Sequence, residues 1–452
     1  MARSVRVPLL AVLALALAAV GTLSTLEKPS NAVLSASSLS LSKGAESTAL
    51  YCTGLSGTKG DALGHVTFLN TTGSTRTINV EIVSDTAKRS TTSLKLAPHA
   101  SGSVDPQSLV AGSDFAVAAQ VNGSGVVGEE VAQDATAESP CTYAGVTNWF
   151  AAGFDSTVGS LAQLSIYNPT ATAAVFNVST YTPHGFNAPA PFRGMAVGAH
   201  SLVEINLGSQ VVNTSNIGVH VKVLRGSIAI VGVQRSGSVT SFNDGVTSTS
   251  TKAWYPRVTT AATATAQIRI TNTGSLPANV TVDVGLKDYH VAPQTQTIAP
   301  YSSGAVVITP NSAIPVAGYA TVRLTSNVAV FTSLATGTSA GFALSSPVTP
   351  STDFLIADFS GRGFDAATVT NTSSKTLTVH FTTIVAEGQQ SASGSAQLGG
   401  GSTQEILALF SGVRTLKGAT LLVTSSKPSL VVTTTLATTP VGTTIVVPLD
   451  GR

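Results

Sequence analysis

Apolar and polar residues alternate along most of this chain, and the alternation restarts four times around an asparagine. The stretches NTTGSTRTINVEI from Asn70, YNPTATAAVFNV from Tyr167, TNTGSLPANVTVDV from Thr271 and TNTSSKTLTVHF from Thr370 share the same order: asparagine, small polar turn, zigzag strand. Just upstream of each asparagine, Val66 and Phe68, Leu164 and Ile166, Ile268 and Ile270, Ala367 and Val369 enclose a polar Thr67, Ser165, Arg269 or Thr368. Downstream, Ile78 and Val80, Phe176 and Val178, Val280 and Val282, Val379 and Phe381 enclose Asn79, Asn177, Thr281 or His380. A period of two predicts strands with one buried face and one wet face. A slip of one residue would turn every apolar group outward, so the register is strongly specified. Asn70, Asn168, Asn272 and Asn371 are assigned a structural role in the turn, where an amide side chain can bond the backbone two residues on.

The asparagines are 98, 104 and 99 positions apart, which is the size of a whole small β domain rather than of a helical solenoid repeat. Each repeat adds a second turn, as in LAPHASGSV, VGAHSLVEI, IAPYSSGAVVI and LGGGSTQEIL, and closes on what reads as a long hairpin, as in FAVAAQVNGSGVVGEEV. The expected fold is therefore all-β: four tandem immunoglobulin-like β-sandwich repeats over residues 44–141, 142–247, 248–346 and 347–452, after an N-terminal hydrophobic helix. The alternative is a propeller-like closed array. The tail GTTIVVPLDGR is expected to add a last strand to the fourth repeat. An aromatic residue opens each repeat: Tyr51, Trp149, Trp254 and Phe354. Core packing is the simpler role for these rings, with Trp149 and Trp254 kept as candidate contacts for a sugar.

The N-terminus changes the picture from fold to address. Arg3 and Arg6 precede an apolar run from Val7 to Leu23. Such flanks mark residues 1–26 as a secretory signal peptide or an uncleaved signal anchor, with a Ser-rich stalk over 27–43. The protein is thus expected outside the cytoplasm, either anchored by that segment or released after its cleavage. Cysteine usage agrees, because Cys52 and Cys141 sit at the edges of the first repeat and would form a disulfide in an oxidising compartment. Two unpaired buried thiols are the other option.

Composition mostly excludes. Charged residues make up 10% of the chain and the net charge is +2, with no basic stripe, so a nucleic-acid partner has no support. About a quarter of the residues are Ser or Thr, which suits strands and turns. The best catalytic match, GTSAG from Gly337 to Gly341, has the G-x-S-x-G spacing around Ser339. A nucleophile elbow needs a helix next, and FALSSPVTPSTDF cannot supply one. The seven histidines, among them His99 and His200 in equivalent turns, show no metal-ligand spacing. Asp61, Asp155 and Asp365 stand singly in Gly-rich loops, too few for calcium. No catalytic residue, metal site or cofactor is assigned.

Cys52, Cys141 and the following WFAAGFDSTVGSLAQLSIYNP resemble an uncharacterised family of exported actinobacterial proteins of the domain-of-unknown-function type. That family has a cysteine near the start of its ectodomain, a second cysteine, and then a Trp-Tyr/Phe-x-Ala-Gly opener. The similarity spans the ectodomain, with its specific signature between Cys52 and Pro169; Thr53 stands where the family often has proline. The resemblance implies export and tandem β domains, and brings no activity. The expected function is a non-enzymatic cell-envelope protein, a modular scaffold or surface binder whose partner is an envelope protein or a glycan, touching membrane only through its N-terminal segment. Two alternatives are an envelope-directed hydrolase with an interdomain site and a carbohydrate-binding module array.

Overall fold

The zigzag segments become strands that sort into two facing sheets per repeat in a computed structural model, which describes residues 37–39, 49–56, 64–132, 137–260, 264–285, 291–308, 314, 319–339, 341–357, 367–385, 391–411 and 420–433. In the first module one sheet runs Ala49–Ser56, Asp114–Val121, Arg76–Ser84, Arg89–Leu96, and the other runs Ser101–Val104, His65–Asn70, Val126–Val131, Glu138–Pro140. Counted within the module, the sixth strand lies between the first and third, and the second lies between the fifth and seventh. The second module repeats this order with Asn148–Phe154, Ile217–Arg225 and Ala174–Thr182 against Leu202–Asn206, Ser160–Tyr167, Ala229–Ser236 and Val239–Asn243. In the third, Tyr319–Thr338 serves as both sixth and seventh strands: its first half pairs with Ser250–Thr259 and Ala278–Gly285, its second with Thr265–Asn272 and Gly341–Ser345. The fourth sets Asp353–Ala357, Thr420–Ser425, Leu377–Ile384 and Ser393–Leu398 against Thr403–Glu405, Thr368–Asn371 and Leu430–Thr433. Each module closes on its own core, so the architecture is a row of sandwiches rather than propeller blades.

The inward zigzag holds at every position. All the paired apolar residues on either side of the four asparagines are 1% exposed or less. The long hairpins do not form. Both edges of the sixth strand are already taken by the first and third, so the seventh has nowhere to pair and the chain crosses to the opposite sheet instead. The strand–turn–strand units around the asparagines are likewise arches between sheets.

Those arches explain the asparagine. Asn70 is fully buried. Its Nδ2 donates to Ser74 O at 2.7 Å, Ala97 O at 2.9 Å and Leu96 O at 3.4 Å, and its Oδ1 accepts from Thr72 N at 3.0 Å and Thr72 Oγ1 at 2.8 Å. Asn168, Asn272 and Asn371 repeat the pattern with Thr172, Leu276 and Lys375 as the first acceptors and Gly198, Ala299 and Gly399 as the distant ones. One amide therefore staples the arch to the turn between the fourth and fifth strands. That turn has a left-handed third residue, at φ 54° in His99, 46° in His200, 52° in Tyr301 and 70° in Gly401. Two histidines at this place serve turn geometry. Asn272→Ala is expected to destabilise the third module by about 3 kcal/mol, since the Leu276, Ile298 and Ala299 carbonyls lose the amide's donated bonds and Gly274 N–H loses its acceptor; differential scanning calorimetry checks it.

The wet outer face is where sequence and structure part. Thr67, Ser165 and Thr368 are 7%, 2% and 0% exposed, although alternation places them outward. Residues Leu34–Arg452 form one compact unit, and within it neighbouring modules press on one another; Ser165 Oγ, for instance, donates to Thr53 O of the preceding module. A bulge in the first strand of modules one to three, at Cys52/Leu55, Ala151/Phe154 and Tyr255/Val258, marks these joints. Part of the Ser-rich stretch, Ser37–Leu39, pairs antiparallel with Leu355–Ala357 at the edge of the fourth module. The N-terminal apolar segment and the tail GTTIVVPLDGR lie outside the described residues. No helix among the described residues is long and apolar enough to cross a membrane.

Candidate functional site

Three connections between modules converge on one cleft of about 690 Å³. Cys141–Ala144, Asp244–Ser250 and Ser346–Pro350 line it, together with Trp149 and Trp254. The two tryptophans differ sharply. Trp149 is 2% exposed, sits in the second module's core, and donates its Nε1–H to Asp244 O at 2.6 Å. It is a core residue, which corrects its candidacy as a sugar-stacking surface. Phe354 is fully buried as well. Trp254 stays half-buried, with the Arg323 guanidinium 5.7 Å from its ring centre.

Counting back from the asparagines aligned these aromatics by sequence distance, but strand pairing gives another set. Tyr51 and Glu81 flank Ala118, Phe150 and Ser179 flank His220, and Trp254 and Asp283 flank Arg323. The outward residue of the second module is therefore Phe150, one place after Trp149. It stacks on His220 with ring centres 4.2 Å apart and meets Phe331 of the third module at 5.4 Å. Burial and then Lys222 hold the His220 imidazole down at about 4.

The joint between modules one and two carries acids that sequence reading passed over. Glu130 is 2% exposed and accepts Gly54 N–H at 2.8 Å. Burial first, and the nearby Asp244, push its carboxyl up to about 8. Asp244 accepts from Ser139 Oγ and is pushed up by burial to about 6. Glu204 accepts Gln163 Nε2–H at 2.7 Å and touches Ser165 Oγ at 2.5 Å. Its carboxyl is also raised to about 8, mainly by burial. Ser165 Oγ lies between this carboxyl and Thr53 O, so the acid is enclosed where the two modules meet. Nothing in the sequence marks these acids beyond the place of Glu130 and Glu204 in largely apolar strands and of Asp244 just past the end of Val239–Asn243.

Other singled-out residues resolve locally. Cys52 and Cys141 are bonded, with Cα atoms 4.5 Å apart. Ser339 is exposed in the turn between strands Tyr319–Thr338 and Gly341–Ser345, a strand–turn–strand setting that lacks the helix of a nucleophile elbow. The GTSAG glycines serve packing instead. A Cβ on Gly341, at φ 144°, would fall 1.8 Å from Ser236 O of the second module. Gly341→Ala is expected to cost about 2 kcal/mol through that close approach, read as a lower unfolding midpoint for modules two and three. Asp155 Oδ1 accepts Thr157 N–H at 2.8 Å in a closed turn, while Asp61 and Asp365 lie outside the described residues. Among the described residues no three His, Cys, Asp or Glu side chains group as metal ligands.

The profile of a family of unknown function, DUF5719, matches residues 135–408. No curated protein matches the chain. A crystal structure of a tetra-tandem repeat in the extending region of a large adhesion protein is 12% identical to it, covering 87% of this chain and 96% of that one. The TM-score of that superposition is 0.11, too low for it to carry an argument.

Proposed function

This chain belongs to DUF5719, a family of unknown function, and from that premise we propose a non-enzymatic, exported cell-envelope protein whose four β-sandwich modules form a stiff scaffold with a binding surface. One observation carries the reading: the joints are built like interiors. Across the second joint, Leu344 N–H donates to Ser241 Oγ at 3.0 Å, Asn243 Nδ2 to Ser333 Oγ at 3.2 Å, and Ser303 Oγ to Asn216 O at 2.5 Å, all buried. Loosely tethered domains would leave such groups to water. The disulfide supports a compartment outside the reducing cytoplasm.

The test has two arms. Cell fractionation with thiol alkylation should find the chain in the envelope fraction with both cysteines unreactive. Paired spin labels on modules one and four should give a single narrow distance distribution. A cytoplasmic chain with free thiols, or a broad distribution, overturns the reading.

A second reading, a hydrolase acting on envelope material, has one observation in its favour: Asp244, with its raised carboxyl and Glu130 nearby, lines the large cleft. Hydrolysis of envelope polysaccharide abolished by Asp244→Asn in a folded protein would select it over the scaffold.

A further inference from the structure

The joints between modules one and two and between modules three and four each carry a groove, and the two grooves are built from equivalent positions. The first, about 580 Å³, is lined by Tyr51 and Glu81 on the sheet of module one and by Pro169 and His200 of module two. The second, about 500 Å³, is lined by Trp254 and Asp283 on the sheet of module three and by Thr372 and Gly401 of module four. Tyr51 and Trp254 occupy the same register position on the first strand, as Glu81 and Asp283 do on the third. Pro169 and Thr372 each follow the stapling asparagine, and His200 and Gly401 are the left-handed residues of the matching turns.

Each groove thus offers a half-buried aromatic ring beside a solvent-reachable carboxylate. Each carboxylate has an arginine at hand: Arg89 lies 3.8 Å from Glu81, and Arg323 lies 2.6 Å from Asp283. Hydroxyl and amide groups surround them, from Asn79, Thr92 and Gln120 in one groove and from Thr321, Ser373 and Ser374 in the other. The joint between modules two and three shows what happens without the acid. Its equivalent of Glu81 is Ser179, and Phe331 packs against Phe150 there. In the first joint Tyr167 also approaches Tyr51, with ring centres 6.0 Å apart, yet both rings line the groove beside Glu81.

We propose that these two grooves are binding sites for a neutral hexose polysaccharide. An aromatic face takes the C–H side of a pyranose ring by apolar contact. A carboxylate accepts from a vicinal hydroxyl pair, and in the second groove the Arg323 guanidinium donates to the ring or hydroxyl oxygens. Because an arginine sits beside each acid, Arg323 lining the second groove and Arg89 just outside the first, neither sign of charge on the ligand is favoured. The inference rests on the scaffold reading in one respect, that the joints stay docked and hold both halves of each groove together.

The experiment uses the oxidised full chain on immobilised mannan, laminarin and dextran, with polygalacturonate as an anionic control. Retention on at least one neutral polymer is expected. Glu81→Gln and Asp283→Asn should each weaken it about tenfold, the loss of one charged hydrogen bond. The double variant should lose more than either, because a polymer engages both sites at once. Exposed ion pairs contribute little to folding, so unfolding midpoints should not move, and Trp254→Phe, which keeps a ring, should retain most binding. No retention on any neutral polymer, retention only on the polyanion, or unchanged retention in the double variant overturns the proposal. Spin-label distances across the joints, measured on the same samples, separate the two failures: lost binding with narrow distances sinks the glycan sites alone, and broad distances sink the scaffold.

Discussion

Raising the pH from about 6.5 to about 8.5 is expected to lower the stability of the first two modules by on the order of 3–4 kcal/mol. The cause is the pair of buried acids at their joint. Glu130 and Glu204 have carboxyls raised from the ordinary 4.5 to about 8 in the folded chain. An acid with a raised folded pKa binds its proton more tightly folded than unfolded. Its stabilising contribution is complete below pH 4.5 and drains away as pH climbs through 8. His220 works in the opposite direction: its folded value of about 4 against an ordinary 6.5 makes stability rise with pH, but only up to about 6.5. Two acids losing stability outweigh one histidine gaining it, so the net contribution of these groups falls from about pH 4.5 and keeps falling on the alkaline side, where His220 no longer offsets them. Asp244, at about 6, has largely titrated by then and couples to Glu130, so those two protons belong to the pair. Asp85 and Asp114 face Glu204 and help keep it neutral.

Chemical unfolding across this range, with the disulfide intact, gives the measurement. The double variant Glu130→Gln with Glu204→Gln fixes both groups neutral at nearly the same shape, and a glutamine amide can still hydrogen-bond Ser165 Oγ. It should flatten the alkaline limb and exceed the parent chain in stability at pH 8.5. A parent profile level or rising above pH 6.5 would sink the prediction. In physical terms the joint is a proton-held contact: each charge created there has to be desolvated or the modules must part.

Why the inner half of this structure was legible and the outer half was not comes down to what a hydroxyl can do. Val, Ile and Phe at alternate positions have one favourable place, the core, and the sequence pattern located them around all four asparagines. Thr67, Ser165 and Thr368 are content in water and equally content buried against a partner, so alternation marked them as wet when they are enclosed. The aromatic openers failed differently. Counting back from an asparagine crosses a loop of variable length, and one residue of error moves a side chain to the other face of its strand. Trp149 and Phe150 were exchanged in this way, and Trp149 proved to be core. GTSAG was a match of composition: Gly341 is required by the approach of Ser236 O, which no reading along one strand reveals. The hairpins were misread because pairing partners depend on which edges are free, a property of the whole sheet.

Removing the disulfide is the other large effect, and it should be confined to one end of the chain. Cys52 lies in the first strand of module one and Cys141 just beyond its last, so the bond joins the two sheets of that sandwich. Both residues are buried with Phe68, Ile78 and Val117 in its core, at 1% and 2% exposure. The cysteines are 89 positions apart, and opening a loop of that length returns about 4–5 kcal/mol of chain entropy to the unfolded state. A Cys52→Ala, Cys141→Ala double variant is expected to lower the first module's unfolding by about that amount; alanine avoids placing a hydroxyl in the core. Calorimetry should show the loss in the module-one transition, with modules three and four unmoved. Equal shifts in all transitions would mean that the joints propagate unfolding along the whole array, and no shift would mean that the unfolded chain gains nothing from release. With domain stabilities commonly 5–15 kcal/mol, a first module lacking this bond sits close to unfolding. Since its strand Ala49–Ser56 forms part of the first joint, through Thr53 and Gly54, loss of the disulfide is expected to loosen that joint as well.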